Sequence, residues 1–223
     1  MSFNVAIDGP AGAGKSTIAK AVAKKMGLIY VDTGAMYRAN ALYILRNNVG
    51  KNDREKMIEL SREADVTLKF DGGEQAVFLN GENVNPFIRA EEVGNMASVS
   101  SAIPEVRKAI VDTQKRIALD NDVIMDGRDI GTVVLPQADL KIYLTASSYE
   151  RAKRRYKELQ EKGEACDLET IQREIEERDY RDMHRETAPL KQAFDAVLVD
   201  SSDMTLDEVI DHIYKLCLEK KGN

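Results

Sequence analysis

Cysteine and histidine are nearly missing from this chain: Cys166 and Cys217 are its only thiols, and His184 and His212 its only imidazoles. None of the four forms a C-x-x-C pair or a Cys/His cluster, which excludes a transition-metal centre and thiol catalysis and leaves the cysteines as structural or incidental thiols. No apolar run approaches the roughly 18 residues that a membrane helix requires. The first apolar strand begins within a few residues of Met1, with no basic segment, apolar stretch and cleavage site before it, so a cytoplasmic protein without a membrane partner is expected. An excess of basic residues is also lacking. Lys plus Arg number 32 against 38 Asp plus Glu, a net charge of -6, which argues against long nucleic acid as a partner while leaving room for a local positive cleft. There is no internal repeat and no low-complexity linker. What remains, 223 residues of which 43% are hydrophobic and 31% charged, suffices for one large α/β unit with an insertion or for two small domains, expected as a monomer acting on small molecules.

One stretch carries most of the chemistry. Asn4 to Asp8 is a short, β-branched strand, Ile18 to Met26 has helical periodicity, and between them Gly9, Gly14, Lys15 and Ser16 fit the pattern G-x-x-x-x-G-K-[ST]. That pattern, in that strand-to-helix setting, makes an anion cradle. Glycines at 9, 12 and 14 leave backbone NH groups free to face a polyphosphate, and the following helix adds its positive end. The cradle is assigned to Gly9, Pro10, Ala11, Gly12, Ala13, Gly14, Lys15, Ser16 and Thr17, with ATP as its nucleotide. Lys15 reaches the β- and γ-phosphates, and the Ser16 hydroxyl is the expected ligand of the accompanying Mg²⁺.

Further along, strands and helices alternate, which implies a parallel sheet with ligands gathered at the carboxyl ends of its strands. Leu28 to Asp32 is a strand turning at Thr33-Gly34 into a helix that carries Arg38. A charged helix spans Asp53 to Ala64. Two strands, Val66 to Phe70 and Gln75 to Leu79, then form a hairpin around a turn containing Gly72-Gly73, and Glu82 to Asn85 adds a third short strand; this antiparallel patch reads as an insertion over 61–97. Pro104 opens a helix whose inward face is Val106, Ile110, Thr113 and Ile117, with Arg107 flanking it. The strand Asp122 to Asp126 closes on an aspartate in the manner of a Walker B element, so Asp126 either positions Mg²⁺ or caps a turn. After the strand Leu140 to Leu144, Ser147 and Glu150 have capping-box spacing. The two arginine-rich helices of 147–185 form a lid or, on the bland reading, a solvated charged surface. A last strand, Ala196 to Asp200, precedes a helix boxed by Thr205 and Glu208, with Leu206, Val209, Ile210, Ile213 and Cys217 inward. The core is then 1–60, 98–146 and 186–223.

An acceptor that is itself a phosphate must approach a triphosphate, so a second anion site rich in arginine is needed. Arg38, Arg128, Arg178 and Arg185 are its candidates, and Arg154 is the lid residue chosen to touch the donor. Lys15, Arg128, Asp126 and Arg154 are the expected catalytic group; positioning and charge neutralisation suffice, since an ionised phosphate needs no general base. No N-K-x-D guanine signature and no H-R-D loop is present.

Four blocks in order resemble bacterial-type cytidylate kinases, which are nucleoside-monophosphate kinases: 7–17, 32–38 (Asp32-Thr33-Gly34-Ala35-Met36-Tyr37-Arg38), 127–134 (Gly127-Arg128-Asp129 through Val134), and 177–185 with Arg178, Asp182 and Arg185. The resemblance spans almost the whole chain. It implies a P-loop NTPase-type α/β fold, a five-stranded parallel sheet flanked by helices with an inserted antiparallel β subdomain and a helical lid, that converts CMP or dCMP to the diphosphate with ATP. By motif, Thr33, Arg38, Arg128 and Arg185 would hold the acceptor phosphate, Ser98, Arg107 and Asp129 would read cytosine, and Arg178 and Asp182 would meet the sugar. The family often has serine at the place of Thr33. Two other readings remain open: a kinase of a small alcohol of the shikimate type, and a nucleotide-binding regulatory protein.

Overall fold

The computed structural model describes residues 2–71 and 74–222. The chain begins β1 (Asn4–Asp8), α1 (Lys15–Met26), β2 (Ile29–Asp32), α2 (Thr33–Arg46) and α3 (Arg54–Glu63). It continues through β3 (Val66–Asp71), β4 (Glu74–Leu79), β5 (Glu82–Asn83), α4 (Glu91–Ser100), α5 (Pro104–Asp120) and β6 (Val123–Gly127). A π-helical turn, Ile130–Val134, precedes β7 (Leu140–Thr145), α6 (Ser148–Glu161), α7 (Leu168–His184), β8 (Val197–Asp200) and α8 (Leu206–Lys221). The main sheet has the order β2-β6-β1-β7-β8 with all neighbours parallel. β3, β4 and β5 form a separate antiparallel sheet. The Gly72-Gly73 turn of the hairpin lies outside the described residues. Among the described residues no helix is long and apolar enough to cross a membrane.

Three apolar clusters hold these layers together. Val5, Ile7, Ile124, Ile142 and Leu144 of the sheet pack on Ile18 and Val22 of α1 and on Val209 and Ile213 of α8. The opposite face, through Ala6, Val31 and Met125, packs on Val111 and Ala118 of α5 and on Ile130 and Val134. A third cluster joins Ala39 and Ile44 of α2, Met57 and Leu60 of α3, Val77 and Leu79 of β4, and Val93 and Met96 of α4. The insertion is thus fastened to α2, at the carboxyl end of β2.

Several sequence expectations need correction. α4 gave no periodic signal: it is ten residues long and contains Gly94 and two serines, and its stability comes from Val93, Met96 and Ala97 sinking into the third cluster. It runs across the expected boundary at 97/98. The inward face of α5 is Val106, Arg107, Ile110, Val111, Gln114 and Ala118, while Thr113 and Ile117 are only half-buried, because α5 is wedged between two clusters and buries a wider arc. β5 stops at Asn83 because the Asn85 side chain takes over the ladder, accepting from Val77 N and donating to Gln75 O. Ser147 does cap α6, but Glu150 pairs with Lys153 rather than closing the box. Leu206 is exposed, whereas the Thr205–Glu208 box is complete.

Candidate active site

The loop between β1 and α1 sits where β1 runs between β6 and β7. Gly9 has φ +152°, and a Cβ there would lie 1.9 Å from the Leu144 carbonyl oxygen, so no other residue fits. Gly14, at φ 85°, turns the chain left-handed into α1, whose first-turn NH groups lack intrahelical partners. Ala11 to Thr17 line a cleft of about 720 Å³, while Gly9 and Pro10 are buried behind it. Lys15 folds back and donates to the Pro10 carbonyl at 2.7 Å. Burial, with Arg128 nearby, pushes its amine down to about 7, against the pull of Asp126 and Asp8.

Asp126, the next-to-last residue of β6, stands directly across from Asp32 in β2. Its carboxylate accepts from the Ser16 hydroxyl at 2.9 Å and from the Tyr30 hydroxyl at 2.8 Å, so it caps no turn. Burial, and then the neighbouring Asp32 charge, push it up to about 6. A hydroxyl and a carboxylate side by side at a phosphate loop are the donor set of a hard cation that also takes phosphate oxygens, and Mg²⁺ uses only one or two protein carboxylates in such places. The residues present fit that ion.

Of the lid arginines, Arg154 lines the cleft and donates to the Ser201 carbonyl at 2.8 Å. Arg151 is different: it is buried, donating to Ala146 O and Ala11 O and pairing with Asp179 at 2.5 Å, which ties α6 and α7 to the phosphate loop.

Next to the cleft lies a cavity of about 90 Å³ lined by Thr33, Arg38, Ser98, Arg107, Arg128, Asp129, Arg178, Asp182 and Arg185, together with Tyr37. Every residue expected to hold the acceptor is therefore gathered in one place. Arg128 Nε donates to Asp182 at 2.8 Å. Asp129 is gripped by Arg107 on one oxygen and by Arg185, at 3.3 Å, on the other. Thr33 gives its hydroxyl proton to the Asp126 carbonyl at 2.6 Å, and Arg38 donates to Ile88 O at 3.1 Å. Five arginines here face two aspartates, a surplus of cations among the residues lining the cavity. Burial and neighbouring Arg128 bring Arg178 down to about 10, and burial with Arg89 lowers Arg38. The Ser98 hydroxyl, the Tyr37 hydroxyl and Arg178 Nε are buried with no hydrogen-bond partner among the described residues. Orphaned donors and uncompensated positive charge are what a dianionic ligand with polar edges would satisfy.

Three contributors were not foreseen. Tyr37 stands one helical turn beyond Thr33, a spacing that could have flagged it; its ring lies 5.3 Å from the Arg107 guanidinium. Tyr30 holds Asp126 from the middle of β2. Arg89, in the irregular chain before α4, lines the cleft and pairs with Asp32 at 2.5 Å; nothing local in the sequence marks it.

Comparison with known proteins agrees with this geometry. Residues 5–219 match the family model described as cytidylate kinase. The chain is 50% identical over 221 residues to the cytidylate kinase of Caldicellulosiruptor saccharolyticus, covering 99% of this chain and 98% of that one. It is 52% identical over 209 residues to the cytidylate kinase of Leuconostoc mesenteroides, covering 94% and 93%. Among solved structures, a gluconokinase from Sinorhizobium meliloti 1021 superposes with a TM-score of 0.52 at 10% identity, over 97% of this chain and 92% of that one, which is a likeness of fold alone.

Proposed function

The chain belongs to the cytidylate kinase family, and we propose from that footing how its residues carry γ-phosphoryl transfer from ATP to CMP or dCMP, giving ADP and CDP or dCDP. The donor phosphates lie on the NH groups of 11–17, with Lys15 neutralising charge on the transferring group and Arg154 meeting the donor from the lid. Ser16 and Asp126 would hold Mg²⁺, which would supply further neutralisation of the phosphates. The acceptor phosphate is held by Thr33, Arg38, Arg128 and Arg185, and the sugar by Arg178 and Asp182. An ionised phosphate is already a nucleophile, so alignment and charge stabilisation do the chemistry. Closure of 147–185 over both nucleotides would exclude water and suppress ATP hydrolysis.

Base choice follows from hydrogen-bond sense. Cytosine offers an N4 amino donor beside the N3 and O2 acceptors, and uracil reverses two of these. Asp129 spends one lone pair of each oxygen on an arginine and keeps others free to accept from N4, while Arg107 and Ser98 donate toward N3 or O2. The observation that carries this reading is the cavity whose orphaned polar atoms and surplus cations adjoin the phosphate loop. The reading also includes a cytoplasmic monomer whose partners are small nucleotides, in keeping with the net charge of -6. A coupled ADP-release assay with CMP, dCMP, UMP, AMP and shikimate tests it. Release driven by CMP and dCMP is expected; release driven by shikimate alone, or equal with no acceptor, would refute it.

A further inference from the structure

The turn that carries Arg128 and Asp129 poses a capping problem. Asp129 stands at the N-cap of the π-helical turn Ile130–Val134 but makes no side-chain cap. An aspartate at that position ordinarily accepts from the backbone NH groups that follow it. Here its carboxylate is instead committed to Arg107 and Arg185. The NH groups of Ile130 and Gly131 would be orphaned in the interior, at a cost comparable to a lost hydrogen bond each.

They are satisfied from another strand. Asp8, the last residue of β1, accepts from Ile130 N on one carboxylate oxygen and from Gly131 N on the other, both at 2.7 Å. Its backbone also stands opposite Gly127 in the sheet. One residue therefore brackets positions 128 and 129 from both ends, and it is only 4% exposed. Gly131 permits the approach: a Cβ there would lie 3.3 Å from the Asp8 carboxylate and 3.2 Å from Lys141 Cδ. Burial pushes Asp8 up to about 6, the two NH groups pull it down, and Asp129 and Lys15 act in opposite senses. At neutral pH the carboxylate is ionised and both oxygens can accept. No step of the phosphoryl transfer uses this group.

We propose that Asp8 is a positioning residue for base selection: by capping the turn from β1, it releases the Asp129 carboxylate from its own backbone and keeps it turned into the acceptor cavity. The proposal rests on the reading of the cavity as the CMP site. Asparagine at position 8 has one acceptor oxygen and sets an NH₂ against the second NH, so Asp129 becomes the nearest substitute cap and leaves the cavity.

The test is steady-state kinetics of Asp8→Asn with CMP and UMP, beside Asp129→Asn and the double variant, with thermal melts to establish folding. Asp8→Asn should raise the KM for CMP about tenfold or more and narrow the CMP-to-UMP ratio of kcat/KM about fivefold or more, with the KM for ATP held within about twofold. Because Asp8 acts through Asp129, adding Asp8→Asn to Asp129→Asn should narrow the ratio no further. An unchanged ratio in folded Asp8→Asn overturns the proposal. So does a parallel loss of ATP and CMP binding, or full additivity in the double variant. If Asp8→Asn does not fold, Gly131→Ala, which crowds the same carboxylate, carries the same expectations and the same refutations. A parent enzyme that phosphorylates no CMP would overturn the kinase reading itself, an outcome distinct from an active parent whose base preference ignores Asp8.

Discussion

Lys15 should take up a proton when ATP binds. Burial, and then Arg128, push its amine down to about 7, so at pH 8 the neutral form prevails. A bound triphosphate places several negative charges beside it and restores the ammonium. The expected uptake therefore approaches one proton per ATP at pH 8, and the Lys15 share falls as the pH is lowered through 7. Asp126, at about 6, is already ionised at pH 8 and contributes nothing there. Calorimetric titration of ATP in two buffers of different ionisation enthalpy yields the proton count directly. Lys15→Met, which keeps the buried volume and removes the titrating group, should show almost none, and its turnover should fall on the order of 10² to 10³. The sign also fixes a stability trend. An unfolded lysine keeps its proton up to about 10.5 while the folded one loses it near 7, so the unfolded state binds more protons and this group's contribution to stability rises with pH between those values. An uptake below about 0.2 at pH 8, or an equal uptake in Lys15→Met, would refute the reasoning.

Neighbouring arginines of the lid should behave differently. Arg154→Ala should lower kcat and leave both melting temperature and CMP affinity nearly unchanged, as a steady-state comparison with melts will show. Arg151→Ala strands the buried Asp179 carboxylate and should cost about 3 kcal/mol, read as a lower melting temperature. Asp129→Ala leaves Arg107 and Arg185 without a counter-charge in a site where all three side chains are almost fully buried. It should lose about 3–5 kcal/mol, or about 6–20 °C in melting temperature, so Asp129→Asn is the better probe of base choice. Thiol labelling at pH 8 should find about one fast-reacting group, Cys166, because burial pushes the Cys217 thiol up to about 11 and keeps reagent away until the chain unfolds.

The phosphate loop, the strand and helix alternation, the hairpin and the caps at Ser147 and Thr205 were legible in the chain because each depends on residues within a few positions of one another: left-handed glycines, apolar periodicity, a side chain reaching its own third neighbour. The motif residues that line the second cavity could be picked out by block, though only as candidates. What the sequence could not decide was the partner of each charge. Arg151 and Arg154 are three residues apart on one helix, yet one is buried against Ala11 and Asp179 and the other faces the cleft. Arg107 passes from a helix flank to the interior because Asp129 waits 22 positions away, and Asp8 finds its donors 122 and 123 positions along the chain. α4 exists because a shared apolar cluster outweighs its own weak propensity. Local stereochemistry is written in short windows, whereas burial and charge pairing are settled only when distant strands close on one another.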